Sequence, residues 1–315
     1  SNKGNGILIS AAVWNVIYNV TLLSNNNGMY VENSKNNTVS NCNVSLSASH
    51  GIILKSYAYN TQLVNNNIWL NAGHGIYDYW LAPYTAVVNN TICKNNGIGI
   101  FYLSSDHVTT RDNRIRNNGD YGILVENSHY HLIKNNTISG HTLGAGMGIR
   151  FKAPTAYNHA EKNNLSGNLV GITGGYAGHR HNLISNNSLW NNVNYGIHSE
   201  HGDDNNTIKG NTVVGSGIHN IILEYINSGA PRDDVVSDNI LIGPSDSGIT
   251  ISNSRDDIPI PIPISNRMKI SGNSIRGCKY GIYLYYSKNN SIINNNISDA
   301  SIYSVRVISK SSDNR

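Results

Sequence analysis

Carboxylate and imidazole side chains recur at matched places near the middle of the sequence. Glu200 lies four residues after Gly196, Glu224 lies four residues after Asn220, and His198 lies two residues before Glu200. Two carboxyl groups about 5 Å apart can serve as the acid and the nucleophile of a retaining glycosidase. We therefore predict that Glu200 and Glu224 are a catalytic pair and that His198 lies beside them.

A second set of residues in the same region would suit β-elimination. Tyr157, His198 or His179 would remove the proton from the sugar carbon, and Arg150 or Lys152 would neutralise the uronate carboxylate. The residue types alone leave hydrolysis and elimination both open. The predicted catalytic residues of the two sets together are Glu200, Glu224, His198, Arg150 and Tyr157.

Aromatic and charged residues at neighbouring places predict a sugar-binding groove. A corner that reads Asn36-Asn37 near the start of the chain reads Tyr130-His131 and His179-Arg180 further on. Rings offer large, rigid faces with a polar edge, and guanidinium groups recognise carboxylates. The alternative is an ordinary solvated face, on which outward charges carry no function. The predicted substrate contacts are Tyr77, Tyr79, Trp80, Phe101, Glu126, Lys152, His131, His179, Arg180 and His201.

Calcium is a further candidate at the acidic residues, although no cofactor is required by the sequence. Oxygen ligands are the ones that Ca²⁺ prefers. We therefore consider that Asp203, Glu200 or Glu224 could bridge a calcium ion to the carboxylate of an acidic sugar.

These residues must be positioned by a repeat that runs through the chain. A Gly-Ile-x-hydrophobic unit begins at Gly28, Gly51, Gly75 and Gly99, at intervals of 23 and 24 residues, and a second phrase, Asn-x-Ile, keeps step with it. No stretch within a unit sustains a helical period, and the unit is too short for a four-stranded propeller blade. One coil of a parallel β-solenoid fits, with the Ile after each Gly pointing inward. We expect the repeated Asn to be structural, because Asn side chains stacked at a corner can hydrogen-bond to the coils above and below.

The repeat resembles that of the right-handed parallel β-helix proteins, including NosD-like and carbohydrate-binding or sugar-hydrolase types. Residues 289–297, NNSIINNNI, are close to the consensus of that family. Similar Asn-rich chains occur among archaeal disaggregatase-type enzymes that depolymerise matrix polysaccharides. The resemblance implies an all-β, single-stranded right-handed parallel β-helix of about 12–13 coils. It would form one domain over residues 1–315, with flanking domains or an oligomer covering its ends.

Composition narrows the function classes. The formal charge of +4 comes from 23 basic and 19 acidic residues with no long basic run, so nucleic acid is not an expected partner. No apolar stretch approaches the ~18 residues of a membrane-spanning helix. Three scattered cysteines match no metal-ligand spacing. Recurrent Asn-x-Ser/Thr triplets are compatible with the cell exterior.

Together these features predict an extracellular or cell-surface depolymerase that cleaves an acidic, uronate-containing polysaccharide. Glycoside hydrolysis is favoured over elimination. The alternatives are a polysaccharide lyase on the same fold and a non-catalytic glycan-binding or NosD-like surface protein.

Overall fold

All regular structure in the described part of the chain is β-strand. The computed structural model describes residues 2–152, 154–175, 179–200, 205–224, 233–252, 264–265, 267–308 and 311–315. The predicted all-β parallel solenoid is confirmed. No helix among these residues is long and apolar enough to cross a membrane.

The chain forms two compact units, residues 1–150 and 151–315. In the first unit every coil contributes one strand to each of three parallel sheets. The first sheet contains β1 (Ile7–Ser10), β4 (Met29–Glu32), β7 (Ile52–Lys55), β10 (Ile76–Tyr79), β13 (Ile100–Leu103) and β16 (Ile123–Glu126). The second contains β2 (Val16–Tyr18), β5 (Thr38–Ser40), β8 (Gln62–Val64), β11 (Ala86–Val88), β14 (Thr109–Arg111) and β17 (Leu132–Lys134). The third contains β3 (Thr21–Leu23), β6 (Asn43–Ser45), β9 (Asn67–Trp69), β12 (Thr91–Cys93), β15 (Arg114–Arg116) and β18 (Thr137–Ser139).

The strand β19 (Met147–Lys152) contains the boundary, and the second unit repeats the three-sheet pattern. Its first sheet contains β23 (Val170–Gly175), β27 (Tyr195–Glu200), β30 (His219–Glu224), β33 (Ser247–Ser252), β37 (Tyr280–Tyr285) and β41 (Tyr303–Ile308). Its second contains β21 (His159–Glu161), β25 (Leu183–Ser185), β28 (Thr207–Lys209), β31 (Val235–Ser237), β35 (Lys269–Ser271) and β39 (Ser291–Ile293). Its third contains β22 (Asn164–Ser166), β26 (Ser188–Trp190), β29 (Thr212–Val214), β32 (Ile240–Ile242), β36 (Ser274–Arg276) and β40 (Asn296–Ser298). Two short parallel pairs are β20 (Thr155–Ala156) with β24 (His179–Arg180), and β34 (Ile264–Ser265) with β38 (Ser287–Lys288).

Equivalent residues of successive coils pair in parallel register, as the repeat predicts. Ile76 pairs with Ile100 and both are fully buried, whereas Tyr77 pairs with Phe101 on the outer face. The glycine before each of these strands is required by close packing. A Cβ atom at Gly75 would lie only 2.7 Å from a backbone oxygen of the next coil. The Gly-Ile phrase therefore marks a place where adjacent coils approach too closely for a side chain.

A buried column of asparagines joins the coils at one corner. In the first unit Asn90 donates from its backbone and side-chain nitrogens to Oδ1 of Asn113, at 2.8 and 3.1 Å. Asn113 repeats the pattern toward Asn136 and also donates to the Val87 carbonyl at 2.8 Å. These bonds satisfy backbone groups that the turn leaves without sheet partners. The predicted structural role of the Asn repeat is confirmed at these positions.

A second corner column carries asparagine in some coils and stacked rings in others. Asn36 has a left-handed φ of 57°, and Tyr84, His107 and Tyr130 adopt φ of 61°, 58° and 60° at the equivalent place. The centre of the His107 ring lies 5.1 Å from that of Tyr84 and 4.7 Å from that of Tyr130. Ring stacking thus replaces the hydrogen bonds of an asparagine column.

Candidate functional site

The first sheet of the second unit carries the predicted pair of carboxylates. Glu200 ends β27 and Glu224 ends β30, and the two residues are direct partners in the parallel register. The spacing-based prediction that they occupy equivalent places on adjacent coils is confirmed. Both side chains point away from the apolar interior because each lies one residue beyond an inward-facing residue.

His198 contacts both carboxylates. Its Nδ1 atom lies 3.4 Å from Oε1 of Glu200, and its Nε2 atom lies 3.2 Å from Oε2 of Glu224. The three side chains, which we call the Glu-His-Glu group, are mostly shielded, with exposed fractions of 9% for His198, 16% for Glu200 and 24% for Glu224. The arrangement explains how two like-charged groups are tolerated side by side.

The contacts of His198 bring together three groups that can exchange protons. The Nε2 contact with Glu224 is a hydrogen bond, and the longer Nδ1 contact brings the ring close to the carboxylate of Glu200. A carboxylate can only accept a hydrogen bond, whereas a carboxylic acid can also donate one. The Glu-His-Glu group can therefore present an acid and a base side by side.

Two rings that the sequence did not single out complete the surroundings. The Tyr195 ring centre lies 4.7 Å from that of His198 and 5.8 Å from that of His219. Burial raises the pKa of Tyr195, and the nearby charges of Glu224 and Glu200 raise that pKa further. Burial also lowers the pKa of His219 to about 4. Tyr195 comes directly before Gly196, and His219 comes directly before Asn220. Neither residue therefore lies at one of the repeat positions that the sequence analysis compared between coils.

Gly175 provides the space for Glu200. A Cβ atom at Gly175 would lie 2.8 Å from Cβ and 3.0 Å from Oε2 of Glu200. Any larger residue would therefore displace the carboxylate. The signal was present in the sequence, because glycine is unusual at a place that holds Glu126 or Glu224 in other coils.

The predicted aromatic residues lie together in the first unit. We call Tyr77, Tyr79, Trp80 and Phe101 the aromatic cluster. The Tyr77 ring stacks on Phe101 at 5.0 Å and on Tyr79 at 4.4 Å, and Trp80 lies 5.8 Å from Tyr79. Burial raises the pKa of Tyr77, and so do the neighbouring Tyr79 and the negative charge of Glu126.

The remaining predicted catalytic candidates have different surroundings. Arg150 is 7% exposed, its Nη1 atom lies 3.1 Å from Sδ of Met147, and its guanidinium lies 5.8 Å from the Tyr121 ring centre. Lys152 is partly exposed. Tyr157 is exposed in the second unit, where its ring stacks on His181 at 5.0 Å.

Two predicted substrate contacts lie inside the protein. His131 is 1% exposed and its Nε2 atom is 2.5 Å from the Ser105 carbonyl oxygen. His179 is 2% exposed, with Nδ1 2.8 Å from Oγ1 of Thr155. Burial lowers the pKa of His131 to about 4 and that of His179 to about 3. The sequence analysis placed both histidines on the outer surface, but the structure shows that they are buried.

The two histidines are buried for different reasons. His131 is aligned as the sequence predicts, at the place that the buried Asn37 has in an earlier coil, so the second residue of this corner faces the interior.

For His179 the corner alignment is offset by two residues. Residues 181 and 182 occupy the corner, where the His181 ring stacks on Tyr157. His179 and Arg180 instead form β24, in which His179 is buried and Arg180 is exposed.

Asp203 was predicted as a metal ligand and His201 as a substrate contact in the same region. His201 and Asp203 lie outside the described residues. Among the residues that are described, no three His, Cys, Asp or Glu side chains form a group arranged to hold a metal ion.

The fold and the Glu-His-Glu group define a parallel β-solenoid with ionisable residues on the outer face of its first sheet. The model for the right handed beta helix region matches residues 80–260, more than half of the chain, and the chain belongs to that family. A second model, for the periplasmic copper-binding protein NosD, matches residues 1–145. No curated protein sequence matches the chain significantly.

Solved structures of similar fold include proteins that act on polysaccharides. The A-module of the Azotobacter vinelandii mannuronan C-5 epimerase AlgE4 is 14% identical with a TM-score of 0.64, over 99% of this chain and 91% of that one. An alginate lyase from Paenibacillus sp. str. FPU-7 is 10% identical with a TM-score of 0.57, over 79% of this chain and 91% of that one. The Dettilon tailspike protein is 17% identical with a TM-score of 0.55, over 97% of this chain and 61% of that one. At these identities the similarity establishes only the fold. The chemistry must be inferred from the residues of this chain.

Proposed function

We propose that this protein cleaves an acidic, uronate-containing polysaccharide, with the Glu-His-Glu group as its acid–base centre. The observation that carries the proposal is the contact of one imidazole, His198, with two carboxylates on adjacent strands. It supplies an acid and a base in one partly shielded place. The similarity of the fold to a mannuronan C-5 epimerase and an alginate lyase supports a polysaccharide as the substrate class.

Glycoside hydrolysis is the chemistry that the paired carboxylates support best. One carboxyl group donates its proton to the glycosidic oxygen, and the other attacks the anomeric carbon. Water then releases the sugar from the nucleophile, while the first group accepts a proton from that water. His198 contacts both carboxylates and orients them.

Elimination is the second candidate, favoured by the contact between Tyr195 and His198. In that reaction His198 gives up one of its two carboxylate contacts, and the ring nitrogen that becomes available removes the proton beside the uronate carboxylate. The bond from the sugar to the glycosidic oxygen then breaks. The raised pKa of Tyr195 keeps its phenol protonated, so that it can donate a proton to the leaving oxygen. The product carries a double bond, which hydrolysis does not form.

The chemistry of the sulfur residues favours a glycan over a copper-handling role. Soft metal ions such as Cu(I) prefer Cys and Met ligands. Cys42, Cys93 and Cys278 are all buried and lie in separate parts of the sequence.

We propose that the protein acts outside the cytoplasm, at the cell surface or beyond. The match to a periplasmic family supports a location outside the cytoplasm.

Calcium belongs to the proposal as an optional bridge. Glu200 or Glu224 could share a calcium ion with the carboxylate of the substrate, because both are oxygen ligands. Loss of activity with a chelator, restored by added calcium, is the expected result if this bridge operates.

A substrate panel tests the proposal. The protein is incubated with alginate, polygalacturonate and chondroitin, with dextran as the neutral control, in the presence and absence of calcium. Hydrolysis gives new reducing ends without the ultraviolet absorbance of an unsaturated sugar, and elimination gives both. No new reducing ends from any acidic polysaccharide would contradict the proposed function.

A further inference from the structure

A lysine side chain lies against two rings on the outer face of the first unit. Lys55 ends β7, and its register partner on β10 is Tyr79. The Nζ atom of Lys55 lies 5.3 Å from the ring centre of Tyr79 and 5.7 Å from that of Trp80. The two rings are tilted by 59° to each other. The ammonium group is therefore held beside a pair of angled aromatic walls.

Two phenols lie beside the ammonium group of this lysine. The phenol oxygens of Tyr79 and Tyr30 accept hydrogen bonds from the ammonium and raise the pKa of Lys55 further above its ordinary value. A lysine is already charged at neutral pH, so these contacts add position to a permanent positive charge. Lys55 keeps part of its surface exposed, so that a negatively charged ligand can reach it.

Trp80 departs from the residue type that the backbone favours. It has a left-handed φ of 59° and is 60% exposed. A bulky side chain is unfavourable in that conformation, whereas Asn adopts it readily. The equivalent left-handed places of the neighbouring coils hold small polar residues, namely Asn33, Ser56, Ser104 and Asn127. Folding alone therefore does not account for an exposed tryptophan at this corner.

We propose that Lys55, Tyr79 and Trp80 form a subsite that binds a carboxylate-bearing sugar of an acidic polysaccharide. The exposed indole offers a flat apolar face for the sugar ring, and the oriented ammonium pairs with the carboxylate. A glycan is favoured over nucleic acid because the site supplies one fixed cation and the whole chain has a formal charge of only +4. The identity of the ligand rests on the proposed function, but the subsite is a separate feature of the first unit.

Binding measurements in the absence of turnover test the subsite. Alginate oligomers are titrated calorimetrically into Glu224→Gln protein, with dextran oligomers and a single-stranded DNA oligomer as comparison ligands. Lys55→Gln in that background should weaken alginate binding about tenfold, and should reduce its salt dependence, because one ion pair is lost. Dextran binding should not change. Lys94→Gln, at an exposed corner of the same unit, is the matched control and should leave alginate binding unchanged.

The tryptophan is tested by Trp80→Asn, which restores the residue type of the neighbouring coils and so preserves the fold. This variant should weaken the binding of alginate and of dextran, because both would use the indole face. Equal alginate affinity in Lys55→Gln and Lys94→Gln would overturn the subsite, and so would DNA binding tighter than alginate binding. Alginate binding that depends on Lys55, in a protein whose wild type cleaves no acidic polysaccharide, would contradict only the proposed function. Cleavage by the wild type together with unchanged alginate binding in Lys55→Gln would contradict only the subsite.

Discussion

Burial is the main influence on the pKa of an ionisable residue inside the first unit, Asp78. Asp78 faces the interior from β10, is fully buried, and accepts a hydrogen bond from Ser105 at 2.6 Å. Burial raises the pKa of Asp78 to about 7, although the hydrogen bonds from Ser105 and Thr85 oppose that shift. A raised pKa means that this group favours folding when protonated. Its contribution is complete below pH 4 and is lost as the pH rises toward 7.

Asp78→Asn should therefore stabilise the protein, compared with wild type, more at alkaline pH than at acid pH. Asn keeps an acceptor for Ser105 but cannot ionise, so the gain should reach about 2 kcal/mol or more at pH 8 and disappear near pH 4. The free energy of unfolding by urea at the two pH values measures it. Asp112→Asn, at a partly exposed residue paired with Arg111, is the control and should show a much smaller pH-dependent change. Equal effects of Asp78→Asn at both pH values would refute the role of its charge.

At the scale of elements, the columns that connect the coils hold each corner in place. The repeat predicted the strands and the buried asparagines because both recur at a fixed spacing and are set by local backbone geometry. It did not predict the burial of two central histidines. His131 lies at the second residue of its corner, where the buried Asn37 shows that the side chain faces inward, and the alignment of His179 was offset by two residues. Glu200 and Glu224 were aligned correctly by their equal distance from the start of the strand.

Asn113→Ala should destabilise the fold by about 3 kcal/mol, because it removes several buried hydrogen bonds and leaves the Asn90 N–H and the Val87 carbonyl without these partners. The control is Asn89→Gly. Asn89 is exposed with a φ of 55°, and glycine accepts that conformation. Its expected cost is below about 1 kcal/mol. Chemical denaturation of the two variants compares these costs, and a similar loss in both would show that the buried column adds little.

At the scale of the whole molecule, the sequence was sufficient for the fold class and for one part of the site. The repeat specifies a parallel solenoid because every coil must bury the same apolar positions, which the family match over residues 80–260 supports. The pairing of Glu200 with Glu224 followed from the same repeat. The sequence analysis missed Tyr195, His219 and Lys55. Their contacts depend on the directions of side chains in neighbouring coils, which the amino-acid sequence does not give.

The most direct test of the central claim is the rate of cleavage by Glu200→Gln and Glu224→Gln protein on the acidic polysaccharide that wild-type protein degrades. Glu32→Gln is the matched control, because Glu32 is also an outward residue that ends a strand of the first sheet, in the first unit. Each site variant removes one ionisable carboxyl from the Glu-His-Glu group while keeping its size. We predict that both rates fall at least about 100-fold with the fold intact, while the control stays near wild type. Rates close to wild type in both site variants would contradict the assignment of the Glu-His-Glu group as the acid–base centre.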